Sequence, residues 1–153
     1  MKLEFSGSPT IAAPRDRVWE RLMDPQFVAQ SAPGVESVIA LDPTHFKVVS
    51  GFGVGTIKVR FTMDVELFDI IAQQSAKMRV RGKAPGSAID VVSSMQIQDG
   101  SSNESRLNWS ATSEVSGTVA SVGARLMEGT ARKLTEQFWS DFARRVSQEK
   151  RAL

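Results

Sequence analysis

A catalytic side chain must be a nucleophile, an acid or a base held within reach of a substrate, and these 153 residues offer few in a usable arrangement. Ser93 and Ser113 fall on inward positions of alternating, strand-like segments, but a hydroxyl attacks only when a base takes its proton. The single histidine, His45, stands beside the Asp42-Pro43-Thr44 turn, remote from both, and reads as a turn residue. Asp90 and Glu114 alternate to the outer face, so they are not read as a general acid/base pair. No catalytic residue is assigned, and with no cysteine and one histidine no metal site is assigned either. Gly51-Phe52-Gly53-Val54-Gly55 invites comparison with a phosphate loop. It lies between strands, however, without the helix and lysine that such a loop requires, and is expected to be a turn at the mouth of an interior space.

The chemistry better represented is apolar recognition. Phe61, Met63, Met78, Val80, Met95 and Trp109 occupy inward strand positions, Met127 lies on the apolar stripe of a helix, and small residues (Gly82, Ala84, Ser93, Ala111, Ser113) stand among them. Flexible thioethers reshape around varied ligands, an indole adds a stacking face and an N–H donor, and small neighbours leave room. These seven are the candidate ligand-binding residues. The alternative is an ordinary packed core in which methionines plug gaps. Phe27 and Val28, on a short helix between two breaks, and Phe52, in the glycine-rich segment, are the candidate gate, with membrane contact or core packing as the alternatives for the first two and simple loop flexibility for Phe52.

The elements that must position these residues follow from period. Lys2 to Ala13 reads as a first strand bent at Gly7 to Pro9. Val18, Trp19, Leu22 and Met23 describe a short amphipathic helix that Asp24-Pro25 ends, and Gln26 to Ser31 a second, closed by Ala32-Pro33-Gly34. Period two then sets in over Val35–Leu41, Phe46–Ser50, Ile57 to Leu67, Ala76 to Ala84, Ile89 to Ile97 and Leu107 to Val115. If Ile71 to Gln74 form a turn, Ile70 pairs with Ser75, and Glu66 and Asp64 stand opposite Arg79 and Arg81. The cationic stripe Lys58, Arg60, Arg79, Arg81 is then read first as a solvated, partly paired face and second as an anionic docking surface. From Gly117 to Val146 apolar residues recur at steps of three and four, which predicts a helix from about Ser121, its N-cap, to Gln148. Such a helix is about 40 Å long and needs a sheet to lie across. The expected fold is α+β: a curved, seven-stranded antiparallel sheet wrapped around a long C-terminal helix, with two short helices after strand one, in a single domain over residues 1–153.

Composition sets the outer bounds. A chain of this length can bury about 70% of its unfolded surface, enough for a core without disulfides. The net charge of +2 is not concentrated in a basic arm, so no nucleic acid is expected. No apolar run approaches the roughly 20 residues of a membrane span, and no secretory leader is recognised, so a cytoplasmic protein is expected.

Several local signatures carry a resemblance that runs over nearly the whole chain. They are Phe5-Ser6-Gly7, Ala13-Pro14 before Val18-Trp19, Ala32-Pro33-Gly34-Val35-Glu36, and Gly117 to Val122 leading into Gly123-Ala124-Arg125-Leu126 and Phe138-Trp139. In this order they resemble the helix-grip fold of the START/Bet v 1-like (polyketide cyclase/lipid transport) superfamily and, within it, the G-subunit family of carbon monoxide dehydrogenase. The resemblance implies a hydrophobic small molecule, lipid- or quinone-like, held without covalent attachment between sheet and helix. It also implies an accessory or membrane-recruitment role for a molybdenum-containing oxidoreductase, peripheral at the inner face of the membrane. An accessory binding protein is expected rather than an enzyme, with a small-molecule cyclase or hydrolase using the same cavity as the alternative. Some members carry a membrane-reaching C-terminal extension; with the chain ending at Leu153, that extension is not expected here.

Overall fold

The computed structural model describes residues 1–151, with side chains through Glu149; the chain end at Leu153 lies outside the described residues. Alternation of apolar and polar residues produces the strands β1 (Lys2–Gly7), β2 (Thr10–Ile11), β3 (Val35–Asp42), β4 (His45–Val54), β5 (Ile57–Ile71), β6 (Ser75–Ala84), β7 (Ser87–Asp99) and β8 (Ser105–Gly117). All pairings are antiparallel, in the order β1-β8-β7-β6-β5-β4-β3, with β2 also on β8. The first strand therefore divides at its Gly7 to Pro9 bend, and both halves stay on the same partner.

Two short helices, α1 (Arg15–Leu22) and α2 (Pro25–Ser31), close one end. Asp24 both ends the first and starts the second: its carboxylate accepts from the backbone N–H of Gln26 (3.1 Å) and Phe27 (3.2 Å), and Pro25 fills the first helical position. The Pro33-Gly34 exit has a steric reason. Gly34 has φ +80°, and a Cβ there would lie 2.1 Å from the carbonyl oxygen of Gly51, whose N–H donates to Gly34 O at 2.9 Å.

Three boundaries differ from expectation. Gly51 to Val54 belong to β4, paired with Arg60 to Ile57, and the turn is confined to Gly55-Thr56; the alternation runs through the glycines because the ladder bonds are made by backbone. At the other end of β5, Glu66 and Asp64 do face Arg79 and Arg81, but Ile71 rather than Ile70 pairs with Ser75. An irregularity after Phe68, with Asp69 at φ 49°, takes up the extra residue. Finally, Thr118–Val122 form a 3-10 turn, and the long helix α3 runs over Ala124–Arg151, 28 residues or about 42 Å. Ser121 is thus no N-cap: Gly123 (φ 99°, ψ 156°) interrupts the helix, and Val119 is drawn into the core with its N–H on Ser87 Oγ at 2.9 Å.

The core has two parts. One gathers Ile11, Ala13, Val18, Leu22, Ala76, Met95, Ile97 and Leu107 beneath Phe142 and Val146 of α3. The other gathers Leu3, Val54, Val59, Phe61, Val115 and Val119 beneath Met127.

Candidate functional site

Between the two core clusters the same sheet face changes character. Pairing lines up Leu3, Ser113, Val91, Val80, Val65 and Phe46 as one row across it. The next row is Phe5, Ala111, Ser93, Met78 and Leu67. In the first row the ends, Leu3 and Phe46, are buried, while the four residues between them on central strands are only half-buried. In the second, Phe5, Ala111 and Met78 are half-buried. Central-strand side chains beneath a covering helix are ordinarily the best buried in a sheet; here accessible apolar surface runs across the middle. The helix shows the same interruption. Met127 and Ala131 pack on one cluster and Phe138, Trp139, Phe142 and Val146 on the other, while Leu134 and Thr135 between them are half-buried and belong to neither.

The seven residues singled out by sequence are dispersed over this arrangement. Val80 and Met78 lie in the accessible band and Met63 in the next row, all half-buried, with Met78 also packing against one cluster and Met63 against the other. Phe61 (1% exposed) and Met127 (6%) are packed in one cluster, and Met95 (8%) in the other. Gly82 does not leave room as its size suggests, because Ile89 Cγ2 and Met63 Cγ occupy the notch, 2.6 and 2.9 Å from where a Cβ would stand. Trp109 lies flat against Trp139 (centroids 5.8 Å apart, 24° between planes), so its stacking face is already used. Its Nε1 is buried without a hydrogen-bond partner and presses on Gly7, where a Cβ would approach to 2.8 Å. Val48, Val65, Val91 and Leu134, half-buried and in neither cluster, were missed: the alternation marks the strand residues as inward, but only tertiary burial distinguishes them from packed positions.

The three gate candidates stand at different places. Phe52 stacks on Phe61 (5.6 Å, 18°) in one cluster, while Phe27 and Val28 pack on the other. Phe27 meets Phe142 edge-on at 5.7 Å and lies under the Arg145 guanidinium at 3.9 Å. Arg145 also donates to Phe27 O (2.7 Å), Ser31 Oγ (2.5 Å) and Gln30 Oε1 (2.8 Å), which latches α2 to α3. Arg21, also within 5.4 Å of the Phe27 ring, donates to Glu149 at 2.8 Å and ties α1 to the same helix.

On the outer face the cationic stripe is half neutralised. Arg60 forks onto Glu36 (2.8 and 3.0 Å) and Arg79 onto Asp90 (3.3 and 3.0 Å), and these hydrogen bonds raise both guanidinium pKa values further. Arg79 thus turns away from its facing partner Glu66 on β5 and reaches diagonally to Asp90 on β7, the neighbour on its other side. Among the described residues Lys58 and Arg81 have no ion-pair partner. His45 opens β4 on this outer face, its Nδ1 2.9 Å from Asp42. Hydrogen bonds from Thr44 N–H and from His45 lower the Asp42 pKa to about 2, and the hydrogen bond to Asp42 raises that of His45. The imidazole and the Ser93 and Ser113 hydroxyls therefore occupy opposite faces of one sheet.

Comparison with known proteins agrees with this architecture. Residues 7–147 match the family CoxG, described as the G subunit of carbon monoxide dehydrogenase. No curated protein matches the chain. A conserved protein from Geobacillus kaustophilus superposes with a TM-score of 0.88 at 22% identity, covering 95% of this chain and 96% of that one. The Zhui aromatase/cyclase from Streptomyces sp. R1128 gives 0.73 at 14% identity, over 100% and 97% of the two chains. A START superfamily protein from Mycobacterium smegmatis gives 0.71 at 12%, over 95% and 97%. At these identities the likeness is one of fold, and it is the helix-grip fold expected from the sequence.

Proposed function

The chain belongs to the CoxG family, that of the carbon monoxide dehydrogenase G subunit, and on that premise we propose that it is a binding protein for a hydrophobic small molecule, lipid- or quinone-like. The observation that carries this reading is the half-buried apolar band between two buried clusters beneath Leu134 and Thr135. Apolar surface left accessible inside a fold is stabilised by covering it, at roughly 25 cal/mol per Å². Native mass spectrometry and solvent extraction of the purified protein test the reading, together with quinone quenching of the Trp109–Trp139 pair. A co-purified or added lipophile should bind one per chain. Val80→Phe, which fills the band from its central strand, should abolish binding while the unfolding midpoint is retained. Absence of any bound lipophile and of any quenching would overturn it.

The family name, that of a carbon monoxide dehydrogenase subunit, supports association with an oxidoreductase, and we propose an accessory or membrane-recruitment role for a molybdenum-containing one, in the cytoplasm or peripherally at the membrane. Among the described residues no helix is long and apolar enough to cross a membrane, which favours reversible association. Within the stripe, Lys58 and Arg81 are the cations without an ion-pair partner among the described residues and so remain for an anionic partner, and such a contact weakens as salt screens it. Pull-down of an oxidoreductase and liposome flotation at low and high salt separate the two modes; binding to neither leaves a free carrier. A cyclase or hydrolase is the second reading, favoured by the aromatase/cyclase among the structural neighbours. Among the described residues no base stands on the inner face near Ser93 or Ser113, and turnover of polyketide-like substrates lost on changing either serine would establish it.

A further inference from the structure

The two rows that cross the accessible band carry no charged side chain, and the backbone groups of their central strands are held in ladder hydrogen bonds. A ligand there meets polar atoms only from side chains, and most inward hydroxyls are engaged. Ser105 donates to Ala13 O at 2.8 Å, Ser87 Oγ accepts from Val119 N–H at 2.9 Å, and Thr135 donates to Ala131 O at 2.7 Å. Ser50 is buried two rows away from the band's centre, against Gly34. Ser93 (7% exposed) and the half-buried Ser113 are left, and among the described residues no hydrogen bond engages either hydroxyl, the one fully buried polar side-chain atom without a partner being Trp109 Nε1. Ser93 pairs with Ala111 and Ser113 with Val91, so the two are diagonal neighbours on adjacent strands, about 7–8 Å apart, with Phe5 and Leu3 beside them. They form one polar spot on an otherwise apolar surface.

We propose that the band selects an uncharged apolar molecule bearing a hydrogen-bond-accepting oxygen, and that Ser93 and Ser113 determine this specificity by donating to that oxygen. The inference rests on the ligand-binding reading above and deepens it. A carboxylate is rejected because nothing inside the band compensates its lost hydration, whereas a ketone loses little water and gains the serine hydroxyls. Arg132, whose guanidinium lies over the Phe5 ring at 5.7 Å, is exposed and donates to Glu128.

Equilibrium dialysis with three probes of one shape tests this: 2-acetylnaphthalene, 2-ethylnaphthalene and 2-naphthoate at pH 7. The wild type should hold the ketone about tenfold more tightly than the hydrocarbon, the worth of one well-made hydrogen bond, and the carboxylate at least about a hundredfold more weakly than the ketone. The Ser93→Ala/Ser113→Ala double variant should bind the hydrocarbon unchanged and lose the advantage of the ketone, while Ser113→Thr, which keeps a hydroxyl, retains it. Equal binding of ketone and hydrocarbon by the wild type overturns the role of the serines, as does a ketone preference that survives in the double variant. In either case ligand binding itself stands. Failure of all three probes to bind the wild type overturns both this proposal and the reading beneath it.

Discussion

The last turns of α3 and the two turns before them cross the same sheet, yet one stretch is filled and the other is not. At the filled end Phe138, Trp139 and Phe142 interlock with Trp109 and Phe27, five rings with neighbouring centroids 4.8 to 5.9 Å apart. There α1 and α2 add a third wall, contributing Val18 and Leu22, and the bulky rings reach across. In the middle Leu134 and Thr135 of the helix and the short side chains of Val65, Val80 and Val91 in the sheet are all only half-buried, and none of them belongs to either core cluster. The sheet residues are equally apolar in both places. What differs is the reach of the opposing side chains and the presence of a third layer, so hydrophobicity of one wall does not determine whether a space is closed.

The comparison breaks most visibly at Phe142, which is 0% exposed. Phe142→Ala should destabilise the fold by about 3–5 kcal/mol, read from chemical denaturation, because a ring-sized cavity opens where neighbours are locked. Arg145→Met comes next. It removes three hydrogen bonds and the cover over Phe27, and an expected loss of about 2 kcal/mol should be accompanied by faster amide exchange across Pro25–Ser31. In the band, Val80→Ala should cost about 1 kcal/mol or less, since a half-buried side chain beside open surface leaves little new void; a loss as large as that of Phe142→Ala would mean that the middle is packed after all.

The smallest effect lies at the exposed β3–β4 turn. Asp42, lowered from 3.8 to about 2, contributes stability present above its unfolded pKa and lost as pH falls toward 2. His45, raised from 6.5, contributes stability present below that value and lost as pH rises through its folded pKa. The pair therefore supports the turn most between about pH 4 and 6.5. Urea midpoints at pH 5.5 and 8 should differ slightly more in the wild type than in His45→Gln.

Much of the architecture was legible in the chain. Period two over Ile57 to Leu67 and its neighbours specified the strands and the face each residue takes, since side chains alternate regardless of what covers them. The three- and four-residue steps of α3 and the Pro33-Gly34 break were equally local. Opposition of Glu66 to Arg79 followed from register, whereas the choice of Asp90 as ion partner did not, because it lies on the next strand. The inward candidates Met63, Met78 and Val80 were found by alternation, but Phe61, Met95 and Met127 carry the same signal and are packed away. Thus the sequence by itself determined which face of each element is apolar. Only the tertiary structure decided which part of that face stays accessible, because this depends on which side chains of other elements reach it. Rings fill one end and Met127 with Val119 the other, contacts between residues far apart in the chain that no local period encodes.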